Sequence, residues 1–431
     1  MNNEKLLHKA LSVTAARQYD IDSHPPFVVQ SARGAWLKDC DGRDILDMTS
    51  SNGTALFGYC NDEINASIIE QISQRGAIFP TTLSPQRISL AECIIERYPA
   101  AEKAVFFRTG SDGTTAAVRM VRAYTGRRLI LSSGYHGWHD WHRKFDKPGW
   151  DAQCDIFHFG YNLDILSKLL EQGQERIAGV IVTPEPGWYS VDHLKNMYQL
   201  CLQKGIPFIL DEVMSGLRYG AAGLNGSGVP ADLVVISKGL ANGLALSCVM
   251  GKADIIDSYD AAGLAGTYNK EVTPMAAGLT ALRLIKEQDP YPAALAIGSD
   301  LMTELQQAAN DADVPLWVTG APLMFKTVFS SAAIANTVTS ACFEGGVLME
   351  CNGTHMVNFS FGYEEKSYAV AIFKKALSSI KHSCDFTGTG SNGLNLSLRE
   401  GYARAAFGAV FEDNMSHDIE RAVQPNKGGL F

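Results

Sequence analysis

Closely spaced cysteines are missing from this chain. Its nine cysteines, at positions 40, 60, 93, 154, 201, 248, 342, 351 and 384, are odd in number and scattered, which argues against both a disulfide framework and a zinc knuckle and fits a reducing cytoplasm. No apolar run reaches the roughly 18 residues a membrane helix needs. The start, Met1-Asn2-Asn3-Glu4-Lys5-Leu6-Leu7-His8-Lys9, lacks the long apolar core of an export signal, so a protein neither exported nor embedded is expected. Positive charge is not in excess: 37 Lys and Arg stand against 46 Asp and Glu, a formal net charge of -9. That leaves no electrostatic footprint for nucleic acid or an anionic membrane, and any anion must be held locally. Internal repeats, coiled-coil heptads and extended low-complexity segments are also lacking.

What remains is an ordinary globular composition, 46% hydrophobic and 19% charged over 431 residues, with material for a large core and two or three domains. Residues 1–60 read as an N-terminal lead-in segment, in which Asp41-Gly42 between alternating runs predicts a hairpin. From 61 to 295, helical patterns alternate with short apolar runs at Ala104–Phe107, Leu129–Ser132, Gly179–Thr183, Phe208–Asp211, Leu233–Ser237 and Ser247–Met250. Such alternation implies right-handed crossovers and an α/β domain with a mainly parallel sheet. Residues 296–382 read as a smaller α+β domain, with a helix near Ser299–Ala312, strands around Leu323–Phe329 and Met356–Phe361, and a helix near Glu364–Ser378. Residues 383–431 form an extension without an assignable role, a connector at Thr387–Gly393 followed by a helix near Leu398–Phe411.

Two of the apolar runs end in ionisable side chains. Phe208-Ile209-Leu210 leads into Asp211, and 27 residues later Val234-Val235-Ile236-Ser237 leads into Lys238. Buried parallel strands deliver chemistry at their carboxyl ends. An aspartate that keeps a pyridinium nitrogen protonated, together with a lysine that forms a Schiff base, is what pyridoxal phosphate requires. The plainer alternative for each residue alone, a helix-capping aspartate and a solvated strand-end lysine, stays open at this point.

Other segments could complete such a site. Arg108-Thr109-Gly110-Ser111-Asp112-Gly113 lies between a strand and a helix, where free N–H groups and the helix dipole suit a phosphate; a simple capped turn is the alternative. Gly134-Tyr135-His136-Gly137 offers Tyr135 as an aromatic face for a conjugated ring. Its neighbours His139, Asp140 and His142 invite a metal, but no further ligands at suitable spacing complete a cage, and no metal is expected. Gly266-Thr267, in a polar loop, could supply another phosphate contact or simply cap.

Taken in order over residues 25–380, these segments resemble the class III aminotransferases, fold-type I pyridoxal-phosphate enzymes that include glutamate-1-semialdehyde aminomutase. The resemblance rests on Thr109-Gly110-Ser111-Asp112 with Arg122-Ala123-Tyr124-Thr125-Gly126-Arg127, on Gly134-Tyr135-His136-Gly137, on Asp211-Glu212-Val213-Met214-Ser215-Gly216-Leu217-Arg218, and on Ser237-Lys238-Gly239 with Gly266-Thr267. It implies that Lys238 is the Schiff-base lysine and proton shuttle and that Asp211 pairs with the pyridine nitrogen. Val213 and Tyr135 would cover the two ring faces, with His136 beside them, and Thr109, Gly110 and Ser111 would hold the phosphate. It further implies that Thr267 reaches the phosphate held in a second subunit, so that a homodimer shares its active sites. The implied activity is ping-pong transfer of an amino group from a small-molecule donor to a carbonyl acceptor, in a biosynthetic role.

The chain departs from the family at several points. Arg108 stands where the family has asparagine, and Ser51-Asn52-Gly53 replaces a common Ser-Trp-Gly pocket segment, which predicts a more polar pocket. Pro26-Phe27-Val28-Val29-Gln30-Ser31 lacks the arginine with which aminomutases receive a carboxylate, although Arg33 is near. Transamination of a polar substrate is therefore favoured over the alternatives, an intramolecular aminomutase or a racemase. A catalytically silent cofactor-binding domain is disfavoured by the presence of both Lys238 and Asp211.

Overall fold

Runs of Val, Ile, Leu and Phe become strands where glycine-rich or polar turns bound them. In the computed structural model, which describes residues 2–15, 26–80, 82–142, 149–330, 332–350, 353–380 and 415–424, the strands in chain order are β1 (Val29–Arg33), β2 (Trp36–Asp39), β3 (Asp44–Asp47), β4 (Lys103–Phe107), β5 (Leu129–Ser133), β6 (Gly149–Asp151), β7 (Ile156–His158), β8 (Ile177–Val182), β9 (Phe208–Glu212), β10 (Leu233–Ile236), β11 (Ser247–Gly251), β12 (Leu316–Ala321), β13 (Met324–Phe329) and β14 (Val347–Leu348). Two compact units contain them. The described residues within Met1–Ser67 and Arg283–Asn395 form one, and those within Ile68–Leu282 and Leu396–Phe431 the other.

The larger unit is built on an eight-stranded sheet of order β4-β11-β10-β9-β8-β5-β7-β6. The pairs β10–β9, β9–β8, β8–β5 and β5–β7 are parallel, while β11 runs against both its neighbours and β6 against β7. This is the mainly parallel α/β sheet the alternation predicts. Every residue of β5, β8, β9, β10 and β11 is buried, as a sheet covered on both faces requires.

The helix Gly110–Thr125 begins in a capping box, Thr109 with Asp112, and ends at left-handed Gly126. Its Ala116, Ala117, Met120 and Val121 join one core with Ile181, Ile209, Val235 and Val249. That approach is close enough to need a glycine: a Cβ on Gly113 would lie 2.8 Å from Val235 Cγ1.

A helix at Met415–Val423 packs against β6 and the helix Leu163–Gln172 of the same unit, with Ile419 and Ala422 buried. The Arg176 guanidinium donates to the carbonyls of Ala422 and, at 2.9 Å, Gln424. It thereby satisfies main-chain acceptors that a helix end leaves open. The expected connector at Thr387–Gly393 and helix near Leu398–Phe411 lie outside the described residues. Among the described residues no helix is long and apolar enough to cross a membrane.

In the smaller unit, Asp41-Gly42 turns β2 back on β3 as the dipeptide predicts, with Asp39 Oδ1 accepting from the N–H groups of Asp41 and Arg43, both at 2.9 Å. β14 then pairs in parallel with β3, which joins the N-terminal segment to the C-terminal α+β region. Helices Tyr291–Asp311 and Tyr363–Ile380 cover the two expected stretches, the first beginning at Tyr291 rather than near Ser299, with a proline in its first turn. Met356–Phe361 is not the expected strand. Its N–H groups go to different partners, Met356 to Met48 O at 2.6 Å and Phe359 to Leu56 O at 2.8 Å, so its apolar residues are buried without a ladder.

Ser50, Ser51, Asn52 and Gly53 have φ of 47°, 51°, 53° and 84°, a left-handed turn made mostly of non-glycine residues. Such residues are strained by about 1–2 kcal/mol each and need surroundings that over-determine them. Buried Asp47 does so, since its Oδ1 takes the Thr49 N–H and hydroxyl, both at 2.7 Å, and its Oδ2 the Ser51 N–H at 3.0 Å and the Tyr59 hydroxyl at 2.6 Å. Exposed Ser51 is the cleanest place to release the strain. Ser51→Gly should raise unfolding free energy by about 1 kcal/mol and Ser51→Val should lower it by at least as much, measured by urea denaturation.

Candidate active site

The register of the large sheet sets the site. Val235 of β10 lies opposite Asp211 of β9, and Ile236 opposite Glu212. Both strands run the same way, so Asp211 and Lys238 emerge at the carboxyl ends of adjacent strands. Lys238 opens a short 3-10 turn, Lys238–Ala241, with φ of 45°. The preceding Ser237 hydroxyl donates to Leu246 O at 2.7 Å, fixing the turn to the start of β11.

Asp211 is 2% exposed, and a buried carboxylate needs partners. His136 Nδ1 lies 2.7 Å from its Oδ2; a carboxylate only accepts, which places the proton on Nδ1. The Thr183 hydroxyl is 3.2 Å from the same oxygen and 2.8 Å from Tyr135 O. Asp211 Oδ1 takes the Val213 N–H at 3.1 Å and keeps a lone pair for another donor. The His136 ring is buried, and its Nε2 has no hydrogen-bond partner among the described residues. Its neighbour His142, with ring centroids 4.8 Å apart, is pushed down to about 2 by burial and by the nearby imidazoles of His136 and His158, so it stays neutral.

The Gly110–Thr125 helix brings its first turn to this loop. Thr114 Oγ1 donates to His136 O at 2.6 Å. A Cβ on Gly110 would fall 2.5 Å from Val213 Cγ1, and one on Gly137 would strike the Ser111 side chain. The N–H groups of Gly110 and Ser111 precede the first intrahelical bond, from Gly113 to Thr109 O, and so face outward from the positive helix end. The Thr109 hydroxyl is already engaged in the capping box, 2.8 Å from Asp112 Oδ2. Half of the Tyr135 surface is exposed, while burial of the rest and Asp211 raise its phenol.

Asp211, Tyr135, His136, Val213, Gly110 and Ser111 are thus gathered on one side of the helix. Thr267 stands apart. It lines a cavity of 330 Å³ on another face of that helix, with Arg108, Asp112, Thr115, Arg119 and His139.

The aminotransferase class-III family model matches residues 18–141 and 159–377. The chain belongs to that family. It is 32% identical over 351 residues to 2'-deamino-2'-hydroxyneamine transaminase of Streptomyces kanamyceticus, covering 80% of this chain and 89% of that one. It is 31% identical over 316 residues to a glutamate-1-semialdehyde 2,1-aminomutase of Sulfolobus acidocaldarius, covering 66% and 73%. Its fold is that of the FumI protein of Sphingopyxis sp. MTA144, solved with pyridoxal phosphate: the TM-score is 0.81 at 24% identity, over 88% of this chain and 97% of that one.

This class-III aminotransferase is a pyridoxal-phosphate enzyme of fold type I. The residues present fit the cofactor. Asp211 keeps an open acceptor position beside a half-exposed aromatic ring, and glycines at 110 and 137 let Val213 and Ser111 pack closely around a helix amino terminus whose first N–H groups have no intrahelical partner. Sequence reasoning missed Thr183 as part of the Asp211 network. Its signal was the strand register, since Val182 opposite Leu210 sets Thr183 beside Asp211.

The aminotransferase also buries a second acid, Glu212, next to the first. Strand alternation turns it to the opposite face, where the N–H groups of Leu224 and Asn225 reach it at 2.7 and 3.0 Å. Burial outweighs these bonds and raises its pKa from 4.5 to about 8. A carboxyl with a raised folded-state pKa contributes stability that is complete below 4.5 and lost as pH rises through about 8. Across that interval the wild-type melting temperature should fall more steeply than that of Glu212→Gln, measured by calorimetry; equal slopes would mean that Glu212 is ionised in the fold.

Proposed function

We propose that Lys238 and Asp211 are the catalytic pair of this aminotransferase and that it transfers an amino group, in two half-reactions, to a polar, hydroxylated carbonyl acceptor. The observation that carries the reading is the adjacent placement of the two residues at the ends of β9 and β10. Bound pyridoxal phosphate supplies an electron sink that acidifies the hydrogen on the amine-bearing carbon of a donor. Lys238 Nζ, as a neutral amine, takes that proton. Asp211 holds the positive charge of the pyridine nitrogen, and His136 with Thr183 keeps the carboxylate aimed. Val213 and Tyr135 enclose the two ring faces and limit water, and the N–H groups of Gly110 and Ser111 hold the phosphate.

A polar acceptor is supported by the name of the transaminase relative, which denotes a hydroxylated amine. The aminomutase alternative is weakened by the lack of an arginine in Pro26–Ser31, where mutases take a carboxylate, and by the exposure of the nearest one, Arg33, whose side chain lies open to solvent beside Asp62. We place the enzyme in a reducing cytoplasm and a biosynthetic route, a reading supported by the seven described cysteines, none of which is in a disulfide among the described residues.

The test is a half-reaction. With a lone amino donor such as glutamate, the holoenzyme should pass once to the amine form of its cofactor, seen by absorbance, and return only when a carbonyl acceptor is added. Turnover of a single substrate would favour the mutase or racemase. Lys238→Ala should lower kcat by about four orders of magnitude or more and abolish borohydride fixation of the cofactor.

We also infer a homodimer in which Thr267 serves the partner's cofactor phosphate, a reading supported by its place away from Asp211 and by its exposure. Lys238→Ala and Thr267→Ala homodimers should each be impaired, and mixing them should restore activity because one heterodimer site is intact. No recovery after verified subunit exchange would sink the shared site.

A further inference from the structure

Arg108, the cation that replaces the family's asparagine in the phosphate turn, pairs with Glu271 at 2.8 Å, the two side chains being only 22% and 25% exposed. Such shielding from solvent makes the pair stronger than an open surface bridge. Its two ends matter. Arg108 directly precedes Thr109, the cap of the helix that offers Gly110 and Ser111. Glu271 directly follows the 3-10 turn Thr267–Lys270.

The rest of that loop is held from several sides. The backbone of Glu271 bridges Ile78, and the Val272 N–H donates to Ala77 O at 2.9 Å. Arg87 donates to Asn269 O, and Arg119, from the phosphate-turn helix, donates to Gly263 O at 3.2 Å. A Cβ on Gly266 would sit 2.7 Å from Asn269 Nδ2, so a side chain there would displace the Asn269 amide. These guanidinium contacts with Asn269 and Gly263 are to neutral carbonyls. Arg108 meets a full opposite charge, which makes its contact stronger than either of these.

We propose that the Arg108–Glu271 ion pair positions the Thr267 loop for cofactor retention, with Arg108 a positioning residue that makes no contact with the phosphate. The proposal rests on the reading of Thr267 as a phosphate contact. It also explains why a cation is present in the turn without adding to the anion site: its charge is consumed by Glu271.

Cofactor release from the holoenzyme, followed by absorbance after dilution into a scavenger of free pyridoxal phosphate, tests this without assaying activity. Glu271→Gln and Arg108→Gln should each speed release by about tenfold, with the dimer retained by light scattering. The charge-swapped double variant, R108E/E271R, should return within about threefold of wild type. In a Thr267→Ala background, Glu271→Gln should add less than about twofold.

Release as slow as wild type in Glu271→Gln overturns the proposal, as does equal acceleration with and without the Thr267 hydroxyl. A Thr267→Ala variant that holds cofactor as tightly as wild type instead rejects the Thr267 reading itself. If Glu271→Gln does not fold, Arg108→Lys, which keeps the charge but not the forked geometry, should show intermediate release. Failure of both the swap and Arg108→Lys to fold assigns the pair to folding alone and refuses the proposal.

Discussion

A carboxylate buried at the end of a parallel strand is the constraint around which the larger unit is arranged. Asp211 sits out of water, and an uncompensated charge there would be costly. His136, Thr183 and the Val213 N–H supply the compensation. The Val213 N–H is local, but His136 and Thr183 come from distant parts of the chain, and the sheet order, with β8 beside β9 and β5 beside β8, is what brings them to Asp211. The same order sets β10 on the other flank of β9 and so delivers Lys238. Strand pairing is therefore the device that sets His136, Thr183, Asp211 and Lys238 at neighbouring strand ends.

The helix Gly110–Thr125 links this centre to the rest of the unit. One face of its first turn meets the His136 loop and Val213, and another borders the Thr267 cavity. Its buried side fuses with the sheet core. A residue at its amino end thus acts on two environments at once, and the Arg108–Glu271 pair sits where they divide.

The parallel core was legible in the amino-acid order because strands buried on both faces read as continuous branched runs, as at Phe208–Leu210 and Val234–Ile236. The Asp41-Gly42 hairpin was legible because local turn chemistry dictates it. Longer-range events left weaker marks. The parallel pairing of Val347 with Leu46 involves a two-residue strand, too short for any periodic signal. Met356–Phe361 has a strand-like composition, yet its N–H groups are divided among separate partners. The helix Met415–Val423 is short, and its docking depends on Arg176, far away in sequence. In the site, Asp211, Lys238 and the glycine-rich turns announced themselves through local pattern. Thr183 and Glu271 act only through neighbours that folding supplies.

The backbone at position 238 carries a further consequence. A lysine held at a φ of 45° occupies a conformation that glycine or asparagine adopts with less penalty. Folding alone would thus favour replacing the one residue to which the proposed chemistry assigns the proton. The fold tolerates a locally ill-suited amino acid at the proposed functional centre, and on that reading mutational drift there would yield sturdier but inert proteins.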